Sequence, residues 1–138
     1  MKCPTNETSH GDPGLLGDFV RGKTVWDIGA GDGRFAQSLR DLGAEVTCVE
    51  IDEVLAFQCK GKGLNTLPVD FELLTPDCDI IYAFLSFVGN YKLTRWLKKR
   101  NWHGTVISQY YPLGEESWNL LNPDEIIHSD LPFLIYHI

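Results

Sequence analysis

Val25-Trp26-Asp27-Ile28-Gly29-Ala30-Gly31-Asp32-Gly33 decides how this chain reads. An apolar run meets an acid and then Gly-x-Gly-x-Gly. This is the pattern of a first parallel strand that delivers a nucleoside cofactor to the start of a helix. Gly29 and Gly31 admit backbone angles closed to other residues and let the chain approach a ligand closely. Gly33 leaves room for the next helix to pack. The spacing is not that of the Gly-x-Gly-x-x-Gly dinucleotide loop. Asp27, two residues before the first glycine, suits a cationic sulfonium group better than a pyrophosphate.

The flanks alternate between strand and helix. Residues 24–28 read as the first strand, and 34–42 as a helix with Phe35, Leu39 and Leu42 on one side and Gly43 as its stop. Residues 45–50 form the second strand. Asp52 caps a short helix ending at Gly61, with Leu55, Ala56 and Cys59 inward. Residues 65–69 are a third strand. Residues 79–85 are a continuous apolar run, as in a central parallel strand buried on both faces. Residues 91–100 are a helix with Leu93, Trp96 and Leu97 inward, and 104–110 a fifth strand. Upstream, Asp12-Pro13 starts a short helix with Leu15, Leu16, Phe19 and Val20 on its apolar face. Residues 1–12 read as an irregular arm and 13–138 as one domain. Downstream, residues 115–121 read as a helical turn. Residues 125–128 and 133–138 are strand-like and too close together for a crossover helix, so they pair antiparallel. The expectation is an α/β fold with a doubly wound, mostly parallel sheet closed by a hairpin. Its ligand should sit beyond the carboxyl ends of the strands.

Composition narrows the classes. A chain of 138 residues that is 43% hydrophobic and 12% aromatic buries a packed core. A net charge of -7 argues against bulk attraction to nucleic acid or anionic lipid. Cys3, Cys48, Cys59 and Cys78 form no Cys-x-x-Cys pair, so they read as thiols of a reduced, cytoplasmic protein rather than a disulfide framework or zinc site. His10, His103, His128 and His137 lack metal-ligand spacing. No apolar run reaches membrane-spanning length. Lys92, Arg95, Lys98, Lys99 and Arg100 crowd one helix, which ordinarily means a solvated face.

Strand ends supply the candidate site. Glu50 ends the second strand, where a carboxylate can accept from both ribose hydroxyls of an adenosine. Asp70 ends the third strand and can accept from the adenine amino group, with Phe71 covering the base; a helix cap and a core ring are the plainer roles. Asp27 orders the loop and favours a cationic methionyl end. The fourth strand ends in Phe84-Leu85-Ser86-Phe87, beside the expected reacting centre. The fifth ends in Gln109-Tyr110-Tyr111, whose rings could wall an acceptor pocket or simply pack the rim. Ser86 and Tyr110 are the catalytic candidates. Ala30, Ile51 and Phe84 join Asp27, Gly29, Gly31, Gly33, Glu50, Asp70 and Phe71 as candidate cofactor contacts. There is no phosphate loop and no Gly-x-Ser-x-Gly elbow.

Asp27 to Arg34 followed by Val49-Glu50-Ile51-Asp52 resembles the class I, seven-stranded S-adenosylmethionine-dependent methyltransferases. Within them the chain is similar to the small protein-lysine methyltransferases of archaea and their mitochondrial relatives, with Pro4-Thr5, Phe84-Leu85, Trp118 and a final hairpin. The resemblance implies a Rossmann-like strand order of 3-2-1-4-5-7-6, S-adenosylmethionine as cofactor and S-adenosylhomocysteine as product. It implies a protein lysine as acceptor; a small-molecule acceptor, or a cofactor-binding partner module without turnover, also fits. The chain lacks an Asn-Pro-Pro-Tyr or Asp-Pro-Pro-Tyr tetrapeptide, which disfavours base amines as acceptors. It departs from the family in its short helix after Glu50 and in Tyr110, where relatives often carry an acid.

Overall fold

The structure, a computed structural model, describes residues 12–138. A 3-10 turn over Pro13–Leu16, capped by the Asp12 carboxylate, leads into α1 (Gly17–Val20). Then come β1 (Thr24–Ile28), α2 (Arg34–Asp41), β2 (Glu45–Val49), α3 (Glu53–Gly61) and β3 (Asn65–Leu67). A 3-10 turn over Phe71–Leu73 precedes β4 (Ile80–Ala83), α4 (Phe87–Lys99) and β5 (Thr105–Gln109). The chain closes with β6 (Gly114–Glu116), β7 (Asn119–Leu120), β8 (Glu125–Ile127) and β9 (Phe133–His137).

Seven strands form one sheet in the order β3-β2-β1-β4-β5-β9-β8. The first five are parallel; β9 runs antiparallel to β5 and to β8. Because β6 and β7 pair only with each other, this is the expected 3-2-1-4-5-7-6 order with a small hairpin inserted. Thr24 and Asp79 clasp the starts of β1 and β4. The Thr24 amide and hydroxyl both donate to Asp79 Oδ2, and the Asp79 amide donates back to Thr24 Oγ1. Those bonds hold the Asp79 carboxyl below its ordinary range.

Alternation along the strands feeds two cores. Val25, Cys48, Tyr82 and Ile107 face α1, α2 and α3, meeting Leu16, Val20, Phe35, Leu39 and Cys59. Ile28, Val49, Ile81 and Val106 face α4, meeting Leu93, Trp96 and Leu97. Each such side chain contributes roughly 1.5–3 kcal/mol of burial. That is enough for an eight-residue α2 to persist where propensity alone would fail, while the three-residue β3 is held by its pairing with β2.

Three expectations need correction. Residues 115–121 are not helical. Gly114 lies so close to its partner strand that a Cβ would meet the Asn119 carbonyl at 2.6 Å and Leu120 Cα at 2.9 Å, and Leu121 N donates to the Leu113 carbonyl. Tertiary pairing overrides the local pattern there. The helix α4 begins at Phe87, four residues early, because the Ser86 hydroxyl accepts from Gly89 N and caps it. The third and fourth strands end early, at Leu67 and Ala83, where the chain turns out towards the sheet edge. Cys3, His10 and Pro4-Thr5 lie outside the described residues.

Gly33 occupies the N-cap of α2 at φ 90°, and a Cβ there would meet Leu64 Cδ1 at 2.8 Å and Cys59 Sγ at 3.1 Å. So the room it leaves is for α3 and the start of β3. Gly33→Ala combines a left-handed backbone with a clash against that packing, and is expected to destabilise the fold by about 2–4 kcal/mol. Urea denaturation checks this; a loss under about 0.5 kcal/mol would contradict it.

Candidate functional site

Parallel strands bring the loops after β1, β2 and β3 to one edge of the sheet. There they line a cavity of about 240 Å³. Ile28 and Gly29 come from β1 and its loop; Val49, Glu50 and Ile51 from β2 and its loop. Val69, Asp70, Phe71 and Glu72 follow β3, and Leu85 and Lys92 close the β4 side. Five of the ten candidate cofactor residues thus share one cavity: Gly29, Glu50, Ile51, Asp70 and Phe71.

Glu50 is 7% exposed and does two things at once. Its Oε1 accepts from the Gly31 amide at 2.8 Å, and its Oε2 accepts from the Asp52 amide at 2.9 Å. One carboxylate therefore ties the glycine loop to the loop after β2. Each oxygen retains a second lone pair for a further donor. Gly29 sits at φ 70°, and a Cβ there would strike Leu85 Cδ2 at 2.8 Å. Gly31, at φ 62°, faces open space.

Asp27 lies beneath the loop rather than in the cavity wall. It is 2% exposed, level with Cys48 and Tyr82 on the neighbouring strands. Its Oδ2 is buried without a hydrogen-bond partner. Burial first, and the charge of Glu50 second, push its carboxyl well above the ordinary carboxylate range. The cysteines nearby are free thiols. Burial holds Cys48 and Cys59 above their ordinary range, and Cys59 Sγ donates to the Gly31 carbonyl. Two carboxyls thus lie close together beneath and beside the glycine loop, one of them with a buried oxygen that accepts no hydrogen bond.

Asp70 caps its own turn, its carboxylate accepting from Glu72 N at 3.0 Å. Phe71 stands edge-on to Trp96 at 5.1 Å while also facing the cavity. Ala30, Gly31 and Gly33 stay in the loop, and Phe84 sits at the β4 tip beside Tyr111, with ring centroids 6.4 Å apart. Ser86 spends its hydroxyl oxygen on the α4 cap.

Tyr110 has φ 68°, and Tyr111 N donates back to the Gln109 carbonyl, closing a γ-turn of the strained left-handed kind. Such a residue costs of order 1–3 kcal/mol and needs strong support. The support is Asn90, a wholly buried residue that sequence reasoning missed. Its Nδ2 donates to the Tyr111 carbonyl at 3.0 Å and the Pro112 carbonyl at 3.1 Å; Ser108 Oγ donates to the Tyr111 carbonyl at 2.6 Å. Asn90 Oδ1 is itself buried without a partner. Tyr111 then anchors Phe87 and Tyr110, both edge-on at about 5 Å, leaving Tyr110 41% exposed. Asn90, Leu93 and Leu97 share one helix face, a spacing that would have exposed Asn90 had the helix been started at Phe87.

A larger cavity, about 350 Å³, lies behind α4 between Leu97, Trp102, Leu113, Leu121 and Ile138. None of the loops after β1, β2 and β3 lines it, whereas ligands of such sheets bind at the carboxyl ends of the strands, where the smaller cavity lies. Among the described residues no His, Cys, Asp or Glu cluster could hold a metal ion, and no helix is long and apolar enough to cross a membrane.

No protein-family model matches the chain. Solved structures do share its fold. It is similar to an S-adenosylmethionine-dependent methyltransferase from Mesorhizobium loti: 19% identity, TM-score 0.56, covering 70% of this chain and 51% of that one. It is similar to phosphoethanolamine N-methyltransferase 1 of Haemonchus contortus, in complex with phosphoethanolamine and S-adenosylhomocysteine: 19% identity, TM-score 0.56, 70% of this chain and 25% of that one. It is also similar to a ribosomal protein L11 methylase from Lactobacillus delbrueckii subsp. bulgaricus: 18% identity, TM-score 0.66, 90% of this chain and 74% of that one. The chain spans about half of the first of these proteins and a quarter of the second. The likeness establishes the Rossmann-like methyltransferase fold.

Asp27 gives a stability prediction with a defined sign. Below its ordinary value near 3.8 the group is neutral folded and unfolded, and costs nothing. Above that pH the unfolded state ionises first, so stability falls until Asp27 ionises in the fold. Asp27→Asn removes the penalty. The variant is expected to be more stable than the parent at pH 7, by an amount that shrinks towards pH 4. Urea denaturation across that window checks it; a variant that loses stability at pH 7 contradicts it.

Proposed function

We infer that the chain is a methyltransferase that binds S-adenosylmethionine at the 240 Å³ cavity. One observation carries this reading. Beneath the glycine loop, the buried Asp27 carboxyl has an oxygen with no donor, and the Glu50 charge lies close by. A cationic ligand at the loop relieves both. The fold fits too, since ligands of such sheets bind at this edge; the Mesorhizobium protein is S-adenosylmethionine dependent and the Haemonchus protein is in complex with S-adenosylhomocysteine.

In this reading Glu50 accepts from the ribose hydroxyls with its spare lone pairs. Ile51, Phe71 and Asp70 would hold the base, and Gly29 to Gly31 the methionyl end. Asp27 acts from below and through space, since a cationic ligand at the loop favours its ionised form. When bound, the cofactor would supply a sulfonium methyl group for direct transfer to a nucleophile. The chain's part is alignment and exclusion of water. Phe84, Phe87, Tyr110 and Tyr111 make an aromatic wall suited to an amine, and desolvation there favours the unprotonated form. This supports a protein lysine as acceptor. The ribosomal protein L11 methylase of similar fold fits a protein acceptor, and the phosphoethanolamine enzyme fits a small molecule. The free thiols fit a reducing, cytoplasmic setting.

A second reading is favoured by Ser86. With its hydroxyl oxygen occupied by the helix cap, no base stands at the β4 tip. A module that binds the cofactor without turnover would look the same.

Calorimetry with S-adenosylmethionine and S-adenosylhomocysteine tests the cofactor. Binding by the parent is expected, weakened about tenfold or more in Asp27→Asn and Glu50→Gln, a loss of about 1.4 kcal/mol. No binding by folded parent at high micromolar ligand overturns the reading. Transfer of a labelled methyl group into a fractionated lysate tests the acceptor. Label on protein lysine is expected; label confined to small molecules moves the acceptor, and binding without label selects the second reading.

A further inference from the structure

The described chain concentrates positive charge in one place. Five of the 12 Lys and Arg residues fall between positions 92 and 100, within a protein of net charge -7. The helix α4 carries no acid. Lys92, Arg95 and Lys99 are spaced i, i+3, i+7, so they form one outward stripe about 10 Å long. All three are exposed. The stripe has a direction. Lys92 lines the cavity at the sheet edge, and Lys99 stands at the far end of the helix.

Little of this charge is neutralised within the fold. Lys98 pairs with the Glu115 carboxylate at 3.4 Å. Arg95 donates only to the Glu115 backbone carbonyl, and Arg100 only to that of Glu72. Lys92 and Lys99 have no partner among the described residues. The stripe is narrow as well as positive. The turn carrying Glu72 lies on one side, and the hairpin carrying Glu115 and Glu116 lies on the other. A nucleic-acid strand brings one charge every 3.4 Å on a broad backbone and would meet those carboxylates. A single extended peptide with a few carboxylates fits between them.

We propose that α4 is a docking rail for an acidic segment of a protein partner. The segment lies along Lys99, Arg95 and Lys92 and so leads neighbouring residues of the partner to the aromatic wall at the start of α4. That lead-in rests on the cofactor reading of the cavity; the docking itself does not. A protein repulsive to acidic partners over most of its surface accepts them along this one line.

Fluorescence anisotropy tests the rail on the full chain. The probe is a labelled peptide of about 12 residues with one lysine followed by four glutamates. Its controls are the same peptide with glutamine for glutamate and a single-stranded oligonucleotide. The acidic peptide is expected to bind, more weakly as salt is raised, and the glutamine peptide at least tenfold more weakly. Lys99→Glu is expected to weaken the acidic peptide about tenfold. Should it fold poorly, Arg95→Gln/Lys99→Gln gives the same loss. Both variants should keep S-adenosylhomocysteine affinity within twofold of the parent. Equal peptide binding by parent and variants overturns the rail, as does no binding, or oligonucleotide binding in preference to peptide. Peptide binding through Lys99 by a parent that does not bind S-adenosylhomocysteine upholds the rail and overturns only the cofactor reading.

Discussion

The Glu50 carboxylate holds the Gly31 amide with one oxygen and the Asp52 amide with the other. Two loops that leave neighbouring strands are thereby locked edge to edge. A bond to a charged acceptor is worth about 1.5–3 kcal/mol, and this residue makes two. The lock brings a cost, because it sets a second carboxyl close to Asp27 in a buried place. Asp27 answers by shifting upward and keeping an oxygen without a donor. A chain selected only for stability would carry an amide or an apolar residue at 27. That tension sits in a rigid, acid-lined loop at the carboxyl edge of a parallel sheet, and the proposed cofactor reading rests on it.

The aromatic side of this edge is built on a different constraint. Asn90 and Ser108 gather the Tyr111 and Pro112 carbonyls and so hold Tyr110 in a left-handed turn. The strain is local, and the support is wholly buried. Tyr111 is fixed by that network and in turn fixes the rings around it. One half of the edge is therefore polar and anionic, and the other aromatic. They meet where β4 ends, with α4 running away from the junction.

Most of the fold was legible because its signals are local. The glycine loop, the helix stop at Gly43 and the Asp52 cap each act within a few residues, and strand runs such as 79–85 need only burial on both faces. Crossover handedness implies a doubly wound sheet, and the strand order 3-2-1-4-5-7-6 is what the family resemblance adds. What could not be read depends on distant contacts. The segment after Pro112 becomes a hairpin because Leu121 pairs with Leu113 and Arg95 grips Glu115. The candidate site divides in the same way. Glu50 directly follows β2, Asp70 and Phe71 stand at the turn after β3, and the fold brings all three to one cavity. Asn90 was invisible once the helix was started too late. The double duty of Glu50 needed the register of β1 against β2 to be known.

A crystal structure of the chain with S-adenosylhomocysteine bound tests the central claim most directly. The account predicts ribose hydroxyls against Glu50, the adenine ring between Ile51 and Phe71, and the sulfur facing the rings of Phe84 and Tyr111. Product seated in the larger cavity behind α4, or a cofactor cavity left empty at saturating product, would contradict it.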